Sequence, residues 1–108
     1  MDSKVSFVYV TVPDENTAKH IAEKVVEARL AACANILPGM KSIYHWQGQI
    51  NTDDEVVLIL KTRATHFQTL ANEIKKLHPY ECPCIVALPV VIGEAAYMQW
   101  ILDNTKAD

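Results

Sequence analysis

Glycine is scarce in this chain, and the few present are scattered. Gly39, Gly48 and Gly93 stand far apart. That spacing excludes a phosphate-cradling loop and a dinucleotide fingerprint, each of which packs several glycines into one turn. There is no G-x-S-x-G nucleophile turn and no H-E-x-x-H helix. A C-x-x-C pair is also missing, which removes zinc-ribbon and thioredoxin-type sites. Neither an enzyme activity nor an organic cofactor is expected. Positive charge is thin. Lys75-Lys76 is the one adjacent basic pair, and the net charge is −3. A nucleic-acid partner needs a concentrated basic face, so none is expected. Apolar runs fall well short of the ~18 residues that cross a membrane, so no membrane insertion is expected. Residues 1–12 begin with Asp2 and lack a basic stretch and a small-residue cleavage site, so no secretory leader is expected. Three cysteines cannot close an intrachain disulfide framework. Free thiols in a reducing, cytoplasmic setting are expected.

What the chain does have is apolar material. Half of its 108 residues are hydrophobic, which predicts one domain over residues 1–108. A domain of this size buries roughly two-thirds of its unfolded surface.

Val5 to Val12 is predicted as a strand apolar on both faces. Asp14 or Asn16 can cap a following helix in which Ala18, Ile21, Ala22, Val25 and Val26 recur at helical spacing, out to about Leu30. Cys33 to Ile50 reads as extended, interrupted at Pro38-Gly39. Asn51-Thr52-Asp53-Asp54 reads as a turn, and Glu55 to Thr62 as a second doubly apolar strand. Thr65 and Gln68 have capping-box spacing. Phe67, Leu70, Ala71, Ile74 and Leu77 form the stripe of a helix that Pro79 should stop near His78. Cys84 to Ile92 is a last strand. Glu94 to Asn104 is a short helix with Tyr97, Trp100 and Ile101 on one side.

The order predicts an α+β, ferredoxin-like split βαβ fold, βαββαβ plus a C-terminal helix. Strands one and three belong in the middle. Pro38 and Pro89 put strands two and four at the edges. Two helices cover one sheet face, yet the central strands are apolar on both. A partner subunit is the expected cover for the rest.

His78-Pro79-Tyr80-Glu81-Cys82-Pro83-Cys84 concentrates chemistry. An imidazole, a carboxylate and two thiols lie within seven residues. Such donors suit copper or zinc better than calcium or magnesium. Structural roles compete at each position. His78 can cap carbonyls at a helix end. Glu81 can pair with Lys61 or Arg63. Cys82 and Cys84 can be small hydrophobes entering a strand. Cys33, between two alanines, reads as core. His45 is a possible ligand on an exposed strand. His20 and His66 read as helix-surface residues. Trp46, Tyr80, Tyr97 and Trp100 can line a cleft or pack an interface between subunits.

Several stretches resemble the divalent-cation tolerance (CutA) family. They are Leu30 to Gly39, Ser42 to Gly48, Leu60-Lys61-Thr62, His78-Pro79-Tyr80-Glu81 and Leu88-Pro89-Val90, with Tyr97 and Trp100 near the end. The resemblance implies a homotrimer similar in fold to the PII signalling proteins. It also implies tolerance of, and binding to, copper or other divalent metal ions. Metal-site candidates are His78, Glu81, Cys82 and Cys84. Cys84 stands where the family often has Glu. Val10 and Leu77 stand where some bacterial members have a cysteine and a second histidine. Two other functions stay open. One is a PII-like sensor with a ligand in an intersubunit cleft. The other is a trimeric scaffold that anchors other proteins.

Overall fold

A computed structural model describes residues 3–107. Met1, Asp2 and Asp108 lie outside that range, so the leader reading of residues 1–12 and the domain limits 1–108 extend beyond the described residues. The elements run β1 (Val5–Val12), α1 (Glu15–Glu27), β2 (Cys33–Trp46), β3 (Gln49–Arg63), α2 (Phe67–Leu77), β4 (Ile85–Pro89) and α3 (Ala95–Asp103). They form one antiparallel sheet of order β2-β3-β1-β4, so β1 and β3 are central, as their double-sided apolar pattern requires. Pro38 and Pro89 both lie on edge strands, where a missing N–H breaks no ladder.

One face carries the core. Val8, Val10 and Val12 of β1 pair with Leu60, Leu58 and Val56 of β3. Ile21 and Val25 of α1 and Leu70 and Ile74 of α2 close over them, and all are buried. Each such aliphatic side chain contributes about 1.5–3 kcal/mol when fully buried. The start of α1 is set by Asp14, whose carboxylate accepts from the Thr17 N–H at 2.7 Å. That bond holds its carboxyl below the usual carboxylate range.

Four boundaries differ from the sequence reading. The first helix ends at Glu27, not near Leu30. Arg29 turns left-handed at φ +58°, and the N–H groups of Leu30 and Ala31 fold back onto the Val25 carbonyl. That reversal returns Leu30 to the core. Asn51 to Asp54 are no turn. They continue β3 opposite Tyr44 to Lys41. The turn is Gln47-Gly48, with φ +51° and +76°, a two-residue reversal whose twist matches that of the paired strands. The polar run stays extended because Tyr44 donates to Asp53 and Lys41 pairs with Asp54 across the ladder. The start of α2 also shifts, with His66 rather than Thr65 at its N-cap position. The chain enters it through a 3-10 turn, Ala64–His66, and Gln68 reaches forward to Asn72 at 3.0 Å. Finally, β4 spans Ile85–Pro89 rather than Cys84 to Ile92. The Val90 N–H donates to the Val5 carbonyl, and β1 begins at Val5, so its partner strand ends there.

The other sheet face is only partly covered. Glu94 caps α3 by accepting from the N–H groups of Ala96 and Tyr97. Ile101 is buried, and Tyr97 and Trp100 stack at 5.8 Å. Lys61 reaches the Tyr97 hydroxyl at 2.9 Å and lies over the Phe7 ring. Past this cover, Leu37, Val86 and Leu88 remain about half exposed. Apolar side chains left exposed on a sheet face suit burial against a partner.

Candidate functional site

The loop from α2 to β4 is shaped by its first residue. Pro79 forces His78 out of the helical region, to φ −88° and ψ 132°. The imidazole turns inward and is buried. Its Nε2 lies 2.7 Å from the Thr11 carbonyl, and its Nδ1 accepts the Tyr80 N–H at 3.1 Å. A carbonyl on one nitrogen and an amide donor on the other fix a neutral ring protonated at Nε2. A metal at either nitrogen must displace a main-chain hydrogen bond. His78 thus ties the loop to β1, and its ring packs against Tyr80 with centroids 4.8 Å apart.

Tyr80 carries the chain of contacts onward. Its hydroxyl donates to Glu55 Oε2 at 2.8 Å. Glu55 is only 7% exposed. Burial first, and the Glu55 carboxylate second, push the Tyr80 phenol well above its ordinary value. The same two causes, in the same order, push the Cys84 thiol up. Tyr44 is also raised, chiefly by its hydrogen bond to Asp53.

These groups border a cavity of about 610 Å³. Glu81, Cys82 and Cys84 all line it, with Tyr44, Trp46 and Tyr80 supplying aromatic walls. Glu55 lines it too. Both cysteines are exposed free thiols that reach one cavity, despite a bend at Glu81 and Cys82. His78 does not line it. Among the described residues, no group of three or more His, Cys, Asp and Glu side chains is placed to hold a metal ion. The soft pair Cys82/Cys84 fits an ion content with two thiolates, such as Cu(I), better than one that needs a full tetrahedral or octahedral set.

Other sequence expectations change. Glu81 does not take Lys61 or Arg63 as partner: Lys61 is held by Tyr97, and Arg63 donates to the Leu102 carbonyl and to Thr105. His66 is buried at the 3-10 turn rather than on the helix surface, because that turn folds it inward. His20 and His45 are exposed as expected, and Cys33 is only half-buried. Tyr97 and Trp100 stack on α3, away from the cavity lining. Glu55 is the residue the sequence reading missed. Its signal was a single carboxylate heading an otherwise apolar strand.

Three raised acids have a consequence for stability. Tyr80, Tyr44 and Cys84 bind their protons more tightly folded than unfolded. Below the ordinary thiol and phenol values of 9.0 and 10.0 that preference is fully present, and it is lost as pH rises through the folded values. Urea unfolding at about pH 8 and about pH 10.5 should show lower stability at the higher pH. In Glu55→Gln the difference should shrink, and an equal difference in both proteins would detach it from this carboxylate.

Known proteins show the same architecture. The family model described as CutA1 divalent ion tolerance protein matches residues 6–104. A divalent-cation tolerance protein CutA from Thermus thermophilus is 49% identical over 98 residues, covering 91% of this chain and 95% of that protein. A human protein CutA is 44% identical over 103 residues, and the chain spans 58% of its length. The solved structure of a Thermus thermophilus divalent cation tolerance protein superposes with a TM-score of 0.91 at 47% identity, covering 94% of this chain and 99% of the other. That of CutA1 from Oryza sativa gives 0.94 at 37% identity, covering 99% and 98%. The chain belongs to the CutA1 divalent ion tolerance protein family.

Proposed function

We propose that the chain serves divalent-cation tolerance as a cytoplasmic homotrimer that binds copper at the Glu81–Cys84 loop. Family membership supports the tolerance role. One observation carries the copper assignment: Cys82 and Cys84 are free, exposed thiols lining the same cavity, with Glu81 beside them. Thiolates are soft donors and favour Cu(I) over harder divalent ions. His78 serves by fixing the loop rather than by giving up a ring nitrogen. The exposed apolar sheet face supports the trimer, and a reducing cytoplasm keeps both thiols available. No catalytic step is part of this proposal.

Competition with a Cu(I) chelator under reducing conditions tests the assignment. Cys84→Glu, which restores the residue the resemblance leads one to expect, should weaken Cu(I) binding by about tenfold or more, because it replaces a thiolate with a hard carboxylate. Affinity should also fall at lower pH, where protons compete for the thiols. Equal Cu(I) affinity in Cys84→Glu and the unaltered protein would make Cys84 a packing residue.

The size and lining of the cavity favour a second reading, a small-ligand sensor.

A further inference from the structure

The Glu55 carboxylate is largely buried and lines the cavity without a cationic neighbour among the described residues. The residue is 7% exposed, and among the described residues its contact is the neutral Tyr80 hydroxyl, with no ammonium or guanidinium group paired to it. Burying a carboxylate without an opposite charge is costly. The cavity it faces is lined by a second carboxylate, Glu81, and by three aromatic side chains, Tyr44, Trp46 and Tyr80. No Lys, Arg or His is among the described lining residues. The volume, about 610 Å³, falls in the range of small-molecule sites.

Aromatic faces and a buried carboxylate together select one chemistry. Ring faces attract a diffuse, weakly hydrated cation, and a carboxylate adds a full opposite charge at the same place. A hard metal ion instead needs several oxygen ligands, and no group of three or more such donors is assembled among the described residues. We propose that this cavity binds a free small organic cation bearing a substituted ammonium group, seated against Tyr44, Trp46 and Tyr80 with Glu55 as its counter-charge. The proposal deepens the small-ligand reading and does not depend on copper, since the contacts it invokes are the rings and the Glu55 carboxylate.

Trp46 supplies the readout. The chain has two tryptophans, so Trp100→Phe leaves the cavity indole as the sole one. In that background, tetramethylammonium and choline should each give a saturable fluorescence change. The neutral isostere of choline, 3,3-dimethylbutan-1-ol, should bind at least about tenfold more weakly, because it lacks the charge that the rings and Glu55 reward. Glu55→Gln keeps an acceptor for the Tyr80 hydroxyl and should weaken choline by about tenfold or more. Choline is titrated with the protein reduced and copper-free, so failure of the copper assignment and failure of this one are separable. Phosphatidylcholine vesicles should not carry the protein upward in a flotation gradient; flotation would identify a lipid headgroup and overturn the free-ligand proposal. Equal affinity for choline and its neutral isostere, or no saturable change with either cation, would overturn it on the unaltered cavity, even if Glu55→Gln fails to fold.

Discussion

Replacing both Val86 and Leu88 with aspartate is expected to turn the proposed trimer into monomers. These residues pair with Tyr9 and Phe7 of β1, on the sheet face opposite the one that packs α1 and α2. They are 46% and 54% exposed, and α3 leaves them uncovered. Neither side chain belongs to the chain's own core, so the folded chain should keep its secondary structure. In an assembled protein each new carboxylate would be desolvated against apolar surface. That costs several kcal/mol per charge, enough to weaken association by about a thousandfold or more. Sedimentation equilibrium at micromolar concentration should give three chains for the unaltered protein and one for the variant. A variant that stays trimeric would place the interface elsewhere, and a monomeric unaltered protein would remove the trimer from the account.

His78→Ala is expected to cost about 2–4 kcal/mol of stability, because it deletes a buried ring and leaves the Thr11 carbonyl and the Tyr80 N–H without their partner. Urea unfolding measures the loss. The same variant separates two roles for the ring. As a loop anchor, it should unsettle Tyr80 and therefore the Glu55 contact while both thiols remain, so Cu(I) affinity should fall by far less than in the double cysteine-to-serine variant. Stability within about 0.5 kcal/mol of the unaltered protein, together with lost copper, would instead make His78 a ligand.

Much of the fold was legible because β1 and β3 announce themselves. Val8, Val10 and Val12 alternate with Phe7 and Tyr9, and Leu58 and Leu60 alternate with Val57 and Ile59, so both strands had to be covered on two sides. The edge prolines then ordered the sheet. The hairpin turn was misplaced because Asn51 to Asp54 has turn composition, whereas the turn itself needed only Gly48 and a tolerant Gln47. Cross-strand bonds from Tyr44 and Lys41 kept the polar run extended, and no local propensity encodes such partners. The site was legible in its loop but not in its depth. His78 to Cys84 is contiguous in sequence, so its donors were visible. Glu55 joins Tyr80 from 25 residues away, through a contact that exists only once β3 and the loop have met. The same limit explains His78: a histidine before proline reads equally as ligand or cap, and the Thr11 carbonyl that engages it lies 67 residues earlier.

Native mass spectrometry of the reduced protein titrated with Cu(I) tests the central claim most directly, because assembly and copper are read from one spectrum. The account predicts a trimer that takes up one copper ion per chain, and a Cys82→Ser, Cys84→Ser trimer that takes up none. A trimer that retains no copper, or equal retention in the variant, would contradict it.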